Sequence, residues 1–329
     1  MKIKYLITGG AGFIGSHFCE KIVENNENFV CIDNLFRGKL ENIEGLLNSK
    51  NNLFENIDIT DSSAVQSISE ILLRFKPEFI IHYAAINGTQ YFYDIPFDVS
   101  EVNSVGTYNL MKAVELSIAE HSEYKPKIIF ASSSEVYGDP KNVPTSESDI
   151  TYLRIEELRD SYAAGKLMSE FFVKTFCHQF NLPFYIYRIF NVYGPRMIGS
   201  KYGQVIPEFI NRLEDGEYPL NIIGNGGQTR SFCNVIDHVD LAWKTMHDAP
   251  SSNIYNIGNT NEINIIDLAA LIMTKMNLSP KFNHLEERSG DPQRRSPDIS
   301  KVLNKIGNHE FISLSDGIDS LLKKTYDPS

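Results

Sequence analysis

Three pairs in this 329-residue chain set a tyrosine four residues before a lysine: Tyr108/Lys112, Tyr137/Lys141 and Tyr162/Lys166. On a helix that spacing brings both side chains to one face. A phenol beside an ammonium can take the proton of an alcohol while hydride leaves the carbinol carbon. Free tyrosine, with a pKa of about 10, is too weak a base for this at neutral pH. A nearby positive charge such as an ammonium favours the phenolate. Tyr137/Lys141 spans Gly138 and Pro140, which argues against a helix there. Tyr108/Lys112 has helical surroundings but no hydroxyl at a strand end upstream. Tyr162/Lys166 opens a helical segment after the serine-rich strand end Ser132-Ser133-Ser134, where a hydroxyl can hold the reacting oxygen.

Hydride needs an acceptor, and the N-terminal region suits one. Tyr5-Leu6-Ile7-Thr8 runs into Gly9-Gly10-Ala11-Gly12-Phe13-Ile14-Gly15 and then into helical spacing. Gly9 permits a tight turn, Gly12 lets backbone approach a pyrophosphate, and Gly15 lets helix and strand pack closely. The helix N-terminus offers free N–H groups and a positive dipole end to phosphates. Asp33 ends the second strand, 18 residues after Gly15. A carboxylate there accepts hydrogen bonds from the adenosine ribose and repels a 2′-phosphate. The expected cofactor is therefore NAD rather than NADP, a preference that neighbouring Arg37 weakens slightly. Asp58, after the third strand, is a candidate adenine contact.

The elements that position these residues alternate between two periods. Short β-branched and aromatic runs occur at Lys4–Thr8, Phe29–Asp33, Leu53–Ile57, Phe79–His82, Lys127–Ser132 and Phe184–Phe190. Helical spacing fills Ile14–Asn25, Val65–Phe75, Val102–Glu120 and Ala163–Phe180. Such alternation implies βαβ units, so the expected class is α/β: a Rossmann-type doubly wound parallel sheet with a smaller C-terminal substrate-binding domain. The expected division is 1–190 for the dinucleotide-binding domain, with returning segments near 232–258, and 191–329 for the smaller region. Glycine and proline cluster in NVYGPRMIGSKYG and IIGNGGQTR. Phe232–Ile236 reads as a strand returning to the sheet, with a helix from Asp237. The tail after Glu286 is polar and basic.

The formal charge of −11, from 31 basic and 42 acidic residues, argues against a nucleic-acid partner. It leaves room for a small anion held by focused arginines. Cys19, Cys31, Cys177 and Cys233 form no CxxC clip, so neither a disulfide nor a metal site is expected. The first apolar run is too short for a signal peptide, and no stretch of about 18 or more apolar residues suggests a membrane span. A cytoplasmic protein with no membrane partner is expected. Val105, Leu110, Val114, Phe171 and Phe172 lie on more than one face of their helices, which suggests a homodimer.

Taken together, TGGAGFIG, DNL at 33–35, HYAA at 82–85, SSSEVYG at 132–138, YAAGK at 162–166, RIFNVYGPR at 188–196 and QTRSF at 228–232 occur in the order of a known family. The chain resembles the extended short-chain dehydrogenase/reductases, specifically the nucleotide-sugar epimerase, dehydratase and decarboxylase group. The likeness runs nearly to residue 300. It implies a triad of Ser133, Tyr162 and Lys166. It implies NAD held by Gly9, Gly12, Gly15, Asp33 and Asp58, with Phe13, Ile14, Asn34, Ile59, Ala84 and Ala85 in the same motifs, beside Tyr162 and Lys166. The implied substrate is a nucleoside-diphosphate sugar. Asn191 and Arg230 would meet its diphosphate, Arg294 would approach the nucleotide, and Thr89 and Ser134 would line the sugar site.

Members share C4 oxidation to a 4-keto sugar and then diverge. Ser134 fills a slot that is aspartate in many dehydratases, and Glu135 is a candidate base for the C5 proton. The expectation is an epimerase- or dehydratase-type enzyme that returns the hydride. The alternatives are a C4 dehydrogenase that releases the 4-keto sugar, a decarboxylase, or a non-catalytic NAD sensor.

Overall fold

The computed structural model describes residues 2–49, 51–199, 204–286 and 293–326. Residues 200–203 of the glycine-rich segment and 287–292 of the basic tail lie outside the described residues. The chain runs β1 (Tyr5–Thr8), α1 (Phe13–Glu24), β2 (Phe29–Asp33), α2 (Glu44–Ser49), β3 (Leu53–Asn56) and α3 (Ala64–Phe75). It continues through β4 (Phe79–His82), α4 (Tyr91–Asp94), α5 (Pro96–Glu120), β5 (Lys127–Ser133), α6 (Asp160–Phe180) and β6 (Phe184–Ile189). Then come β7 (Val192–Tyr193), α7 (Val205–Glu214), β8 (Leu220–Ile223), β9 (Thr229–Ser231), β10 (Cys233–Asn234), α8 (Val235–Asp248) and β11 (Asn253–Ile257). The last elements are β12 (Glu262–Asn264), α9 (Ile265–Lys275), β13 (Phe282–Leu285), β14 (Arg294–Arg295), α10 (Ser300–Ile306) and α11 (Leu314–Tyr326).

A seven-stranded sheet has the order β11-β6-β5-β4-β1-β2-β3, and every pairing in it is parallel. Its strands are apolar on both faces, and the alternation divides them cleanly. Tyr5, Ile7, Phe29 and Cys31 pack with α1, α8 and α10 on one side. Leu6, Val30, Ile32 and Ile80 pack with α3, α5 and α6 on the other. This is the doubly wound Rossmann architecture, with its order reversal between β1 and β4, where such sheets open a ligand crevice. A separate apolar cluster built on Phe209, Leu220, Phe232, Leu268 and Ile318 forms the core of the smaller region. No helix among the described residues is long and apolar enough to cross a membrane.

The structure differs from the sequence reading at two informative boundaries. Helix α5 starts at Pro96, six residues before the apolar periodicity at Val102. Proline is well tolerated at a first helical position, where its missing N–H would have no partner anyway. The strand expected at Phe232–Ile236 shrinks to the two residues of β10, which pair with β7 outside the main sheet. There the Asn234 side chain accepts from the Ile236 amide, and that cap starts α8 at Val235 instead of Asp237. The strand that does rejoin the main sheet is β11, beside β6. Of the apolar residues read as a second helix face, Leu110 and Val114 are core, whereas Val105 and Phe171 are exposed.

Candidate active site

One cavity of about 440 Å³ opens at the strand ends where the sheet order reverses. At one end lies the glycine loop. Gly9 has φ +73°, and a Cβ there would come 2.6 Å from the Ala84 amide nitrogen. A Cβ on Gly15 would come 2.1 Å from the Gly9 carbonyl oxygen. Neither obstacle is a flexible side chain, so only glycine fits. Helix α1 begins directly after Gly12 with no side-chain cap, so its first N–H groups are left for a ligand. Phe13, Ile14, Ala84 and Ala85 line the same space. Asp33 is buried, and its carboxylate accepts from the Ala11 amide (3.0 Å) and the Leu35 amide (2.8 Å). Burial raises its pKa and those two amides pull it back. Asn34 donates to Asp58 at 2.7 Å and ties the ends of β2 and β3 together. Asp58 also caps Thr60, and these bonds outweigh its partial burial and lower its pKa. Ile59 completes this wall. A backbone cradle, an uncapped helix N-terminus and a buried carboxylate at the end of β2 fit an adenine dinucleotide.

At the other end, Ser133, Tyr162 and Lys166 line the cavity together. The three serines all line the cavity but differ in their partners. Ser132 donates to Glu170 at 2.6 Å, and Glu170 forms a buried bidentate pair with Arg188. Ser133 is left beside Tyr162. Burial pushes the Tyr162 phenol well above its ordinary range, the Ser133 hydroxyl and the Arg37 charge pull it back, and Glu135 pushes it up again. Phe92 stacks on the Tyr162 ring at 4.9 Å. Lys166 donates to the Ala131 carbonyl at 2.9 Å, and burial lowers its ammonium to about 7. The Arg37 charge thus acts on the phenol, and Lys166, to which the sequence pointed, lines the same cavity. The rejected pairs lie elsewhere. Tyr108 and Lys112 are on the outer surface of α5, and Tyr137 closes a short 3-10 turn before Gly138.

The sugar-side expectations divide. Ser134 and Asn191 line the cavity. Asn191 sits at φ +34° and donates to the Ser231 carbonyl at 3.0 Å, joining the end of β6 to β9. Thr89 and Arg230 do not line the cavity, although Ile86 and Asn87 do, and the Arg230 charge acts on Glu135. Arg294, expected to approach the nucleotide, is exposed, forms an ion pair with Glu262 at 2.7 Å and does not line the cavity. Its neighbour Arg295 is buried and pairs with Glu135. Adjacent strand residues face opposite ways, and the pairing of β14 with β9 decides which arginine turns inward.

Glu135, the candidate C5 base, lines the cavity and is paired with arginines. Arg159 lies 3.5 Å from the same carboxylate oxygen that Arg295 holds. Burial alone would raise its pKa, but Arg295, Arg159 and Arg230 outweigh that and hold it at about 2.

Sequence reasoning did not single out Arg159, Arg196 or Arg295. Arg196 lines the cavity, donates to Ser16 at 3.1 Å and pairs with Glu20, clasping the GPR segment to α1. The one signal available was their basic character beside recognisable motifs.

Residues 6–321 match the family model described as GDP-mannose 4,6 dehydratase. The chain is 32% identical over 329 residues to UDP-N-acetyl-alpha-D-glucosaminuronate decarboxylase of Bacillus cytotoxicus, covering 98% of each. Its fold matches UDP-glucose 4-epimerase of Thermotoga maritima, solved with UDP-glucose, at TM-score 0.86 and 28% identity, over 99% of this chain and 100% of that one. It also matches UDP-glucuronic acid 4-epimerase of Bacillus cereus, solved with UDP-glucuronic acid and NAD, at TM-score 0.83 and 28% identity, over 97% of each.

Proposed function

This chain belongs to the GDP-mannose 4,6 dehydratase family of extended short-chain dehydrogenase/reductases, and on that premise we propose that it oxidises C4 of a nucleoside-diphosphate sugar and returns the hydride within one catalytic cycle. It is an NAD-dependent nucleotide-sugar enzyme. The observation that carries the reading is the meeting of Ser133, Tyr162 and Lys166 with the glycine loop and Asp33 in one cavity. Bound NAD supplies the hydride acceptor and a positive charge at its nicotinamide ring. Ser133 Oγ holds the C4 hydroxyl, and Tyr162 Oη takes its proton. Lys166 stands one helical turn further on, fixed by Ala131. Asp33 and Asp58 hold the adenosine end, and Asn191 meets the sugar nucleotide.

With Glu135 committed to arginines, a C5 deprotonation has no base in that residue. This disfavours the dehydratase outcome. Epimerisation needs none, because hydride returns to the other face of the 4-keto sugar. A second reading rests on the same arginines. Arg295 and Arg159 contact the Glu135 carboxylate beside Ser133 and the Arg230 charge also acts on it, so this corner of the site is rich in guanidinium groups. A uronate carboxylate suits it, and a 4-keto uronate is a β-keto acid that loses carbon dioxide without a base. UDP-, dTDP-, GDP- and CDP-sugars, uronates and heptoses included, would be incubated with the enzyme while mass and 340 nm absorbance are followed. Unchanged mass with altered NMR couplings means epimerase, and loss of carbon dioxide means decarboxylase. Loss of water means dehydratase, and persistent NADH means dehydrogenase. No turnover across the panel overturns the catalytic reading.

The chain works as a homodimer. Val105, Tyr108 and Leu116 on α5 and Met168 and Phe171 on α6 are exposed apolar residues on two helices that pack together. Light scattering at micromolar concentration that found only a 37.3 kDa species would refute this.

A further inference from the structure

The diphosphate of a dinucleotide brings two negative charges into a cavity whose glycine loop contains no cationic side chain. Among the described residues, three cationic side chains line that cavity: Arg37, Lys166 and Arg196. Lys166 is committed to the Ala131 carbonyl, and Arg196 to Glu20 and Ser16. Arg37 has no carboxylate partner among the described residues. Its guanidinium lies 5.3 Å from the centroid of the Tyr91 ring, and the Phe36 ring lies 5.8 Å from the same ring. A half-buried arginine resting on an aromatic face without a counter-ion is a preorganised anion site.

Its position along the cavity identifies the anion. One neighbour, Gly38, abuts the ribose-binding carboxylate, since a Cβ there would come 2.9 Å from both Asp33 oxygens. On the other side, Tyr91 adjoins Phe92, which stacks on the catalytic tyrosine. Arg37 thus lies between the adenosine-ribose end and the reacting end, where a dinucleotide carries its diphosphate. The next backbone amide, Lys39 N, donates to the Ala11 carbonyl at 3.0 Å and anchors this loop to the glycine loop.

We propose that Arg37 binds the diphosphate of the bound dinucleotide, supplying the side-chain charge that the glycine loop lacks, with the Tyr91 ring as its platform. This deepens the NAD-binding reading and rests on it. The guanidinium fork meets two phosphate oxygens, and the aromatic face keeps it extended over the site.

The test is calorimetric titration of the intact protein with NAD, NADP, ADP-ribose and adenosine. It compares wild type with Arg37→Ala, Arg37→Lys and Tyr91→Leu, with thermal melts to verify folding. Arg37→Ala should weaken NAD and ADP-ribose about 10- to 100-fold and leave adenosine unchanged. Arg37→Lys should recover part of the loss, because a point charge replaces the fork. Tyr91→Leu should cost about two- to fivefold. The salt dependence of NAD affinity should flatten in Arg37→Ala. Equal NAD and ADP-ribose affinity in Arg37→Ala and wild type overturns the proposal. A loss confined to NADP overturns it in favour of a 2′-phosphate site. A wild-type protein that binds neither dinucleotide overturns the NAD reading itself.

Discussion

At the β1–α1 end of the cavity, recognition is made largely of backbone. The glycine loop, the start of α1 and the end of β2 lie within residues 9–33 and present amides and one carboxylate. At the β5–α6 end the lining is made of side chains, Ser133, Ser134, Glu135, Tyr162 and Lys166, and arginines outside the cavity set the charge around Glu135. Glu135 lies in a 3-10 turn, Arg159 precedes α6, Arg230 is on β9 and Arg295 is on β14. Backbone recognition is tolerant of what lies elsewhere in the chain but intolerant of any added atom. Side-chain recognition is the reverse, because it depends on distant segments meeting and on a local balance of charge. A dinucleotide is common to many enzymes, so its site can be built locally. The sugar differs between enzymes, and the end of the cavity proposed to hold it is where distant parts of this chain converge.

The largest expected effect tests the side-chain end. Tyr162→Phe should lower turnover by about 10²- to 10⁴-fold, as loss of a positioned base does, and leave NAD affinity within about threefold. Stopped-flow absorbance at 340 nm and calorimetry would measure the two quantities. Near wild-type hydride transfer would remove Tyr162 from the mechanism.

Gly15→Ala tests the backbone end. The added methyl meets the Gly9 carbonyl, which cannot move without opening the loop. A loss of about 1–3 kcal/mol in stability is expected, together with weaker NAD binding. Wild-type melting and affinity would mean that the loop is not a tight cradle.

Glu135→Gln probes charge balance. The carboxyl is held at about 2, below its ordinary value of 4.5, so its contribution to stability is complete above about pH 4.5 and is lost as pH falls toward 2. The group is 23% exposed, and after discounting for solvent screening the contribution at pH 7 is about 2 kcal/mol. Melts of wild type and variant should therefore differ most near neutrality and converge as pH drops from 5 toward 3. A difference independent of pH would show that the ion pairs do not set it.

The smallest effect is expected at Arg294→Ala. An exposed ion pair is worth little, so KM for the nucleotide sugar should change by less than about threefold. Arg295→Ala should do far more. A large effect at Arg294 would mean that its pairing with Glu262 gives way when substrate binds.

Legibility in the sequence followed the same division. Gly9, Gly12, Gly15 and Asp33 were readable because a tight turn, close phosphate approach and strand-end carboxylate are consequences of neighbouring residues. The alternating strands and helices were readable for a similar reason, since β-branched runs and helical periodicities are local signals. Tyr162 could be separated from Tyr108 and Tyr137 by its local context alone. The start of α5 was misjudged because Pro96 sets a helix end without contributing to apolar periodicity. Thr89 was read as lining the sugar site together with the rest of its segment, of which Ile86 and Asn87 line the cavity and Thr89 does not.

The sequence by itself determined the parallel α/β frame and the dinucleotide cradle, because each arises from residues close together in the chain. Only the tertiary structure decided which of two adjacent arginines faces Glu135, since that depends on the register of β14 against β9, more than sixty residues earlier in the chain. It also decided that Glu135 pairs with Arg295 and Arg159, and that the Arg37 charge acts on Tyr162. Proton affinity is set by burial and by the charges that surround a group in space, and no spacing along the chain encodes that arrangement.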